Sequence, residues 1–276
     1  ALFLFYINDM PLNTDSTVRL FADDTIIYNS ASSHKTLQDD LCKLEEWEAR
    51  TDMEFHPDKC QHILFSRKRN QIVNNYRLHD TIIPKTDKVK YLGVTLDDKL
   101  TFKEHVQKTA NKANAALGFV RRTVTTSSSA VKCTAYKQLV RPTLEYAAGA
   151  WDSVSKTSEA ELEAVQRRAG RMVFNIKRTD RKTSTTGLLK DLKLPTLVER
   201  RKQARLKLFQ NYHYNSDHTI DNYIQRSKST PKRKHKLQYL IPHSNTQHHQ
   251  RSFFIKTAKE WNALPEMSDY LKPPDI

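Results

Sequence analysis

Two adjacent carboxylates, Asp23 and Asp24, are the residues of this sequence best suited to chemistry. Apolar runs rich in β-branched and aromatic residues lie on both sides of them, at 18–21 and 26–28. This pattern predicts a β-hairpin whose two-residue acidic turn carries both carboxylates. Like charges side by side are unfavourable unless a cation is present, and Asp oxygens are good ligands for Mg2+. The pair therefore indicates either a divalent-metal site or a solvated Asp-Asp turn.

Several other segments keep a recognisable order around this pair. The apolar run 2–7 precedes it, and Trp47, Pro57-Asp58-Lys59-Cys60 and Lys90-Tyr91-Leu92-Gly93-Val94 follow it. Their order and spacing resemble the reverse transcriptases of non-LTR (LINE- or jockey-like) retrotransposons. The run 251–265, with Phe253-Phe254 and Trp261-Asn262-Ala263-Leu264-Pro265, is similar to the end of such elements. The resemblance therefore covers nearly the full length of the chain.

In that family, a Tyr/Phe-Ala-Asp-Asp hairpin carries the palm carboxylates that hold the catalytic metal. The resemblance implies that Asp23 binds Mg2+, or Mn2+ in its place, and that Asp24 lies beside it near the primer end. Both would be catalytic residues and metal ligands. Phe21 would occupy the family's aromatic position, and Ala22 would be small so that the chain can pass the primer. Phe21 and Ala22 would thus contact nucleic acid.

Two further candidate sites follow from the same resemblance. Lys59 would reach the departing pyrophosphate and donate a proton, although an exposed loop lysine is the alternative from the residues alone. Tyr91, Leu92 and Gly93 resemble the primer-grip hairpin, in which Gly93 lets the backbone approach the primer closely. A buried strand with a packed tyrosine is the alternative for this stretch.

The implied activity is that of an RNA-directed DNA polymerase, which takes an RNA template, a DNA primer and dNTPs. Two metal ions would support nucleotidyl transfer to the primer 3′ hydroxyl. The family's palm also uses an earlier catalytic Asp and a Gly/Gln-bearing motif, and both would precede the run 2–7. Because neither occurs in this sequence, which starts at Ala1, we expect a fragment that is inactive alone. The alternative is a non-catalytic nucleic-acid-binding helical protein that retains a relic hairpin.

Charge is unevenly distributed along the 276 residues, whose formal net charge is +15. Residues 1–100 contain 13 Lys and Arg against 16 Asp and Glu, a net charge of −3. Residues 101–276 contain 33 against 15, a net charge of +18. A basic half of this kind indicates contact with a polyanion, and a well-solvated helical surface is the alternative.

Cysteine use and hydropathy exclude several classes of protein. Cys42, Cys60 and Cys133 are far apart and form no Cys-x-x-Cys pair, which argues against a zinc knuckle and a disulfide framework. No apolar run reaches the roughly 18 residues that a membrane span needs. The run 2–7 has no basic segment before it, so it does not resemble a signal peptide. The resemblance implies an intracellular protein of the nucleus and cytoplasm, with no membrane partner.

The predicted fold class is α+β: part of a polymerase palm, an antiparallel sheet with a covering helix, followed by an all-α region. Four regions are expected: palm at 1–100, helical thumb at 101–214, basic linker at 215–250 and C-terminal helical segment at 251–276. In the palm we predict a helix over 34–52, strands at 63–65 and 89–96, and a hairpin at 77–83. The apolar face of that helix is predicted to consist of Leu37, Leu41, Leu44 and Trp47. Further helices are predicted from 101, at 127–140, from 158, at 196–213 with Leu197, Ala204 and Leu208 inward, and at 253–264. The inner face of the helix from 101 is predicted to consist of Val106, Ala110, Ala113, Leu117 and Val120.

Overall fold

The computed structural model describes residues 2–70, 74–177, 179–180, 182–214, 219–228 and 235–274. The chain divides into two compact units, Ala1–Leu100 and Thr101–Ile276. We describe each unit by itself. Together they combine helices with small antiparallel sheets, so the predicted α+β class is confirmed at this coarse level.

In the described residues of the first unit, each strand pairs with its neighbour in a hairpin. The pairs are β1 (Thr17–Phe21) with β2 (Asp24–Tyr28), β3 (Tyr76–Leu78) with β4 (Thr81–Ile83), and β5 (Lys88–Tyr91) with β6 (Val94–Asp97). The prediction of one antiparallel sheet is therefore wrong for the described residues, which form three separate two-stranded sheets. The strands are three to five residues long, and each finds its partner across a two-residue loop. The single strand predicted at 89–96 is likewise a hairpin.

Residues 63–65 do not form the predicted buried strand. Beside this run the structure has an isolated parallel bridge between His62 and Lys85, and Phe65 is 45% exposed. A short apolar run contains no signal for a pairing partner, and the neighbouring Ser66 amide bonds instead to the Asp98 carbonyl at 3.2 Å.

Helix α2 (His34–Thr51) is the element on which the first unit packs, after the short α1 (Leu2–Tyr6). Its residues Leu41, Leu44 and Trp47 are buried with Ile7, Met10, Leu78 and Ile83 in one apolar cluster. Leu20 and Ile27 of the first hairpin pack against the same cluster. The predicted apolar face of this helix is thus confirmed, and it holds the first two hairpins.

Helices are the regular secondary structure of the second unit in its described residues, and an isolated bridge joins Arg226 to Tyr239. Its helices are α3 (Lys103–Thr123), α4 (Ser129–Ala135), α5 (Arg141–Glu145), α6 (Ala148–Trp151), α7 (Lys156–Val173), α8 (Thr185–Asp191), α9 (Leu197–Tyr214), α10 (Gln247–Arg251) and α11 (Phe253–Asn262). The predicted inner face of α3 is confirmed, since Val106, Ala110, Ala113, Leu117 and Val120 are all buried. No described helix is long and apolar enough to cross a membrane.

A π-helical segment, Tyr136–Val140, joins α4 to α5. The predicted helix at 127–140 therefore continues past its expected end. Pro142 lies in the first turn of α5, where its missing N–H costs least. The wider π turn just before it is where a helix absorbs such an irregularity.

The inner face of α9 differs from the prediction. Leu197 is buried as expected, but Ala204 and Leu208 are exposed, whereas Arg201 and Arg205 are buried. Both guanidinium groups bond to Asp152, which follows α6. A partner distant in sequence thus makes two charged residues more suitable for the interior than two apolar ones.

Part of the region predicted as a basic linker packs into the second unit. Ile220, Ile224 and Tyr239 are buried in a cluster with Phe209 of α9 and Trp261 of α11. These apolar residues are too widely spaced to give a periodic signal. Residues 215–218 and 229–234, which include the basic run starting at Lys232, lie outside the described part of the chain.

His213 makes the second unit sensitive to acid. Its Nδ1 lies 2.6 Å from the Tyr239 hydroxyl, and its ring centroid is 5.4 Å from that of Trp261. Burial, and then the positive charge of Arg226, lowers the pKa of His213 from 6.5 to about 4. The unfolded chain therefore binds more protons than the folded chain between these pH values. The contribution of His213 to the free energy of unfolding is therefore complete above pH 6.5 and is lost as the pH falls toward 4.

We expect this loss to reach about 3 kcal/mol in the free energy of unfolding. Thermal melting followed from pH 6.5 to about 4 measures it. The variant His213→Asn should be less stable at neutral pH but lose much less on acidification, while His243→Asn, at an exposed position, should behave like the parent chain. An unchanged acid dependence in His213→Asn would contradict the assignment.

Candidate active site

The tip of the first hairpin lies one residue earlier than predicted. Phe21 pairs with Asp24, so the two-residue loop is Ala22-Asp23 and Asp24 opens β2. Ala22 adopts a positive φ of 52°. Tight hairpin loops favour positive φ because their twist then matches that of the strands, and alanine carries only a β-carbon there. The prediction of a turn formed by both aspartates is corrected in this respect.

Both carboxylates are exposed at this tip. Within the described residues, neither Asp23 nor Asp24 has an ion-pair partner. The expected exposed hairpin, with its strands paired antiparallel, is therefore confirmed. Two uncompensated neighbouring anions form a site that attracts a cation from solution.

Asp40 of α2 fixes the start of this hairpin. Its carboxylate is fully buried and accepts hydrogen bonds from the amides of Asp15 at 2.9 Å and Ser16 at 2.7 Å. Burial alone would raise the pKa of Asp40, but hydrogen bonds from Ser16, Asp15 and Lys43 outweigh it and lower the pKa. Sequence reasoning missed this residue, because an acid on a helix is normally solvated and no local pattern indicates its partners.

The hairpin β5–β6 contains the second set of predicted site residues. Its loop is Leu92-Gly93, with φ values of 43° and 80°, as a type I′ turn requires. Glycine adopts this conformation freely, but a leucine held there costs about 1–3 kcal/mol and persists only when its surroundings impose it. Leu92 is half-buried, so packing contributes to that constraint.

Tyr91 connects the two hairpins electrostatically. Its side chain is half-buried, and burial raises the pKa of its phenol, with a further contribution from the negative charge of Asp24. The fold of the first unit thus brings Tyr91 within the electrostatic influence of Asp24, although 67 residues separate them in the chain.

Lys59 belongs to a different element from this pair. It ends the short 3-10 helix Pro57–Lys59, its amide bonds to the His56 carbonyl at 2.9 Å, and its side chain is exposed. In the part of the chain that the structure describes, no ion pair or hydrogen bond joins Lys59 to Asp23 or Asp24. A role for Lys59 would require a substrate that reaches it.

The donor set at the hairpin tip is small. Among the described residues, no group of three or more His, Cys, Asp or Glu side chains gathers as a metal cage would require. Mg2+ usually keeps several waters and is held by one or two carboxylates together with substrate phosphates. Asp23 and Asp24 therefore fit a Mg2+ ion that is shared with a phosphate-bearing substrate, and they do not fit an ion held by protein alone.

Comparison with known families bears on this arrangement. Residues 1–96 match the family of reverse transcriptases (RNA-dependent DNA polymerases). The resemblance to reverse transcriptases is confirmed. The matched segment of this reverse transcriptase-like chain contains both hairpin tips and Lys59, and it ends within β6.

Curated relatives extend the likeness beyond the matched segment. The probable RNA-directed DNA polymerase from transposon X-element of Drosophila melanogaster is 28% identical over 210 residues, which is 72% of this chain and 23% of the relative. The RNA-directed DNA polymerase from mobile element jockey of the same species is 24% identical over 233 residues, covering 78% and 25%. The chain thus spans about a quarter of the length of these relatives. No solved structure matches it significantly.

Proposed function

We propose that this chain is a part of an RNA-directed DNA polymerase of a non-LTR retrotransposon and contributes the hairpin that holds catalytic metal. The observation that supports this most directly is the exposed Asp23-Asp24 tip, whose carboxylates have no ion-pair partner among the described residues. It lies within the segment that matches reverse transcriptases. RNA template, DNA primer and dNTPs would be its substrates. Such a protein acts inside the cell, in the nucleus and cytoplasm.

Asp23 and Asp24 would hold Mg2+, or Mn2+, at the hairpin tip. When bound, the metal lowers the pKa of the primer hydroxyl and neutralises charge on the transferred phosphate. The residues of this chain would orient the primer terminus and position it beside the carboxylates. Phe21, which is 63% exposed, and Ala22 present a surface beside the carboxylates against which a primer terminus can rest.

Tyr91, Leu92 and Gly93 would hold the primer strand in register with the carboxylates. The electrostatic influence of Asp24 on Tyr91 supports this role, since it requires the two hairpin tips to be near each other. Gly93 is exposed, so its backbone is accessible to a strand. The exposed Lys59 would neutralise the leaving pyrophosphate once substrate bridges the distance to it.

The regions after residue 100 would serve binding rather than chemistry. We assign 1–100 to the palm, 101–214 to a helical thumb or connection region, 215–250 to a basic linker and 251–276 to a C-terminal helical segment. The net charge of +18 in residues 101–276 supports contact between these regions and nucleic acid phosphates.

We expect no detectable primer extension by residues 1–276 alone with Mg2+ or Mn2+. Two carboxylates leave the metal that activates the primer hydroxyl poorly held, and loss of one such electrostatic contact costs about a hundredfold or more in rate. Extension of a labelled primer on an RNA template measures this. A longer protein that restores the preceding palm and the fingers should be active, and template-directed synthesis by residues 1–276 would contradict the proposal.

A non-catalytic nucleic-acid-binding protein with a relic hairpin is the second candidate. The net charge of +18 in residues 101–276 is the observation that favours it, because nucleic acid binding alone would account for that charge. The reading frame upstream of Ala1 distinguishes the two candidates: an in-frame Asp-bearing strand and Gly/Gln motif favour the polymerase, and interrupted frames favour the binding protein.

A further inference from the structure

A groove lined by basic side chains runs between α3 and α7 in the second unit. Its volume is about 740 Å3. Its basic lining residues come from α3, α4, α7 and the segment after α7: Arg121, Lys132, Arg167, Arg168, Arg171 and Lys177. No Asp or Glu lines it in the described part of the chain. Such a groove concentrates positive potential and attracts anions.

Lys132 distinguishes this groove from an ordinary charged surface. The residue is only 3% exposed, and its Nζ donates to Asn175 Oδ1 at 2.7 Å. Among the described residues, no carboxylate lies within ion-pair distance of Lys132. An ammonium has three donors, and a buried one without a counter-ion is costly. An anion that enters the groove would complete this site.

Two arginines on the groove walls keep their charge available. Arg168 Nη1 of α7 donates to Asn114 Oδ1 of α3 at 2.9 Å, and this partner is neutral. Arg121 of α3 is exposed and has no ion pair among the residues described. Guanidinium groups in this state can bind phosphate oxygens through paired N–H donors.

The chemistry of the groove is mixed rather than purely cationic. Val124 and Ile176, which are half-buried, also line it, so apolar surface lies beside the cations. A nucleotide combines an anionic phosphate with a flat base that prefers such a surface. The groove volume falls within the range of about 300–1,000 Å3 that is typical of ligand sites, which suits a nucleotide of a strand. A single strand can turn its bases toward this apolar surface, whereas a duplex keeps its bases stacked and paired.

We propose that this groove binds a single strand of nucleic acid through its phosphodiester backbone, with Lys132, Arg121 and Arg168 as phosphate contacts. The inference deepens the proposed function, because it names a strand-binding site for the same class of substrate. It does not depend on Asp23 or Asp24.

Fluorescence anisotropy of the full chain tests it, with labelled oligouridylate, oligothymidylate and a blunt DNA duplex at several salt concentrations. The double variant Arg121→Gln, Arg168→Gln should bind both single strands roughly tenfold more weakly, and the slope of log affinity against log salt should fall by about 1.4. Its control is Lys112→Gln, Lys190→Gln, which removes equal charge at exposed positions outside the groove. The control should change single-strand binding much less.

A second variant fills the groove without changing charge. Gly118 of α3 lines it, and a β-carbon added there would meet only Arg122 Nη1, at 3.6 Å. Gly118→Leu should therefore fold, since leucine is also the better helix former. It should weaken single-strand binding severalfold while the circular dichroism spectrum stays unchanged.

Equal losses in the groove variant and its control would overturn the proposal, as would unchanged binding in Gly118→Leu. A loss as large for the duplex as for the single strands would also overturn it. Equal losses for the RNA and DNA strands would support backbone recognition, and a loss confined to one of them would contradict it. If strand binding behaves as expected but the longer polymerase makes no DNA, the proposed function fails while this site stands.

Discussion

In the longer polymerase that restores the preceding palm and fingers, Asp23→Asn is expected to reduce primer extension by about a hundredfold or more. The carboxylate lies in the two-residue hairpin loop, exposed and without an ion-pair partner among the described residues. The amide is almost the same size but lacks the charge that a divalent cation requires. Duplex binding should change little, because it depends mainly on the basic second unit.

The matched control is Asp58→Asn in the same protein. Asp58 is also exposed and belongs to the short 3-10 helix Pro57–Lys59, away from the first hairpin in sequence. This variant loses the same charge, so it should retain most of the activity. Full activity of Asp23→Asn, or an equal loss in Asp58→Asn, would show that the catalytic centre has been placed wrongly.

The hairpin itself is the part of the site that sequence predicts best. The apolar β-branched and aromatic residues on each side of the two acids predict two strands that bury one face. The acids between them then predict the turn. The residues at the tip are harder to predict. Pairing of Phe21 with Asp24 gives Ala22 a positive φ, and alanine is not a residue from which a positive φ is expected. The turn residues favoured in such loops are Gly, Asn and Asp.

Long-range pairings account for what sequence reasoning missed. Asp40 anchors the hairpin through the amides of Asp15 and Ser16, which lie 25 and 24 residues away. Helical periodicity correctly identifies the apolar face of α3, yet it misplaces that of α9. A charged residue becomes a core residue only when its partner is present, and periodicity contains no information about that partner.

The buried charges of α9 also change how the basic character of the second unit is interpreted. Arg201 and Arg205 are fully or almost fully buried, and Arg201 lies over the ring of Trp151 with its guanidinium carbon 5.7 Å from the centroid. These residues contribute to the net charge of +18, but they stabilise the interior and are not accessible to nucleic acid. A basic composition thus overstates the surface that is available for phosphates.

Asp152→Asn is expected to lower the free energy of unfolding of the second unit by about 3–5 kcal/mol, a large part of the usual total of 5–15 kcal/mol. The Asp152 carboxylate, 5% exposed, accepts from Arg201 Nε at 2.6 Å, from Arg205 Nη1 and from Lys256 Nζ at 2.8 Å. With an amide in its place, the ion pair among the described residues that these three cations would retain is that of Arg205 Nη2 with Glu260, at 2.5 Å.

The environment of Lys256 indicates which helices the Asp152→Asn variant would destabilise first. Burial, and then the charge of Arg205, lowers the pKa of Lys256 to about 8 even in the presence of Asp152. Without Asp152, the ammonium would be less favourable still, and α11, which contains Lys256, would detach from α9 more readily. Hydrogen exchange of the amides in 197–214 and 253–262 measures this directly, because it reports local opening within one unit.

The control for this variant is Asp269→Asn. Asp269 is exposed and pairs with Lys272 Nζ at 2.7 Å, so its ion pair is of the solvated kind that contributes little to stability. Exchange rates in 197–214 and 253–262 should rise strongly in Asp152→Asn and stay near the parent values in Asp269→Asn. If the two variants exchange alike, the buried cations do not depend on Asp152, and the argument that they belong to the core of the second unit fails.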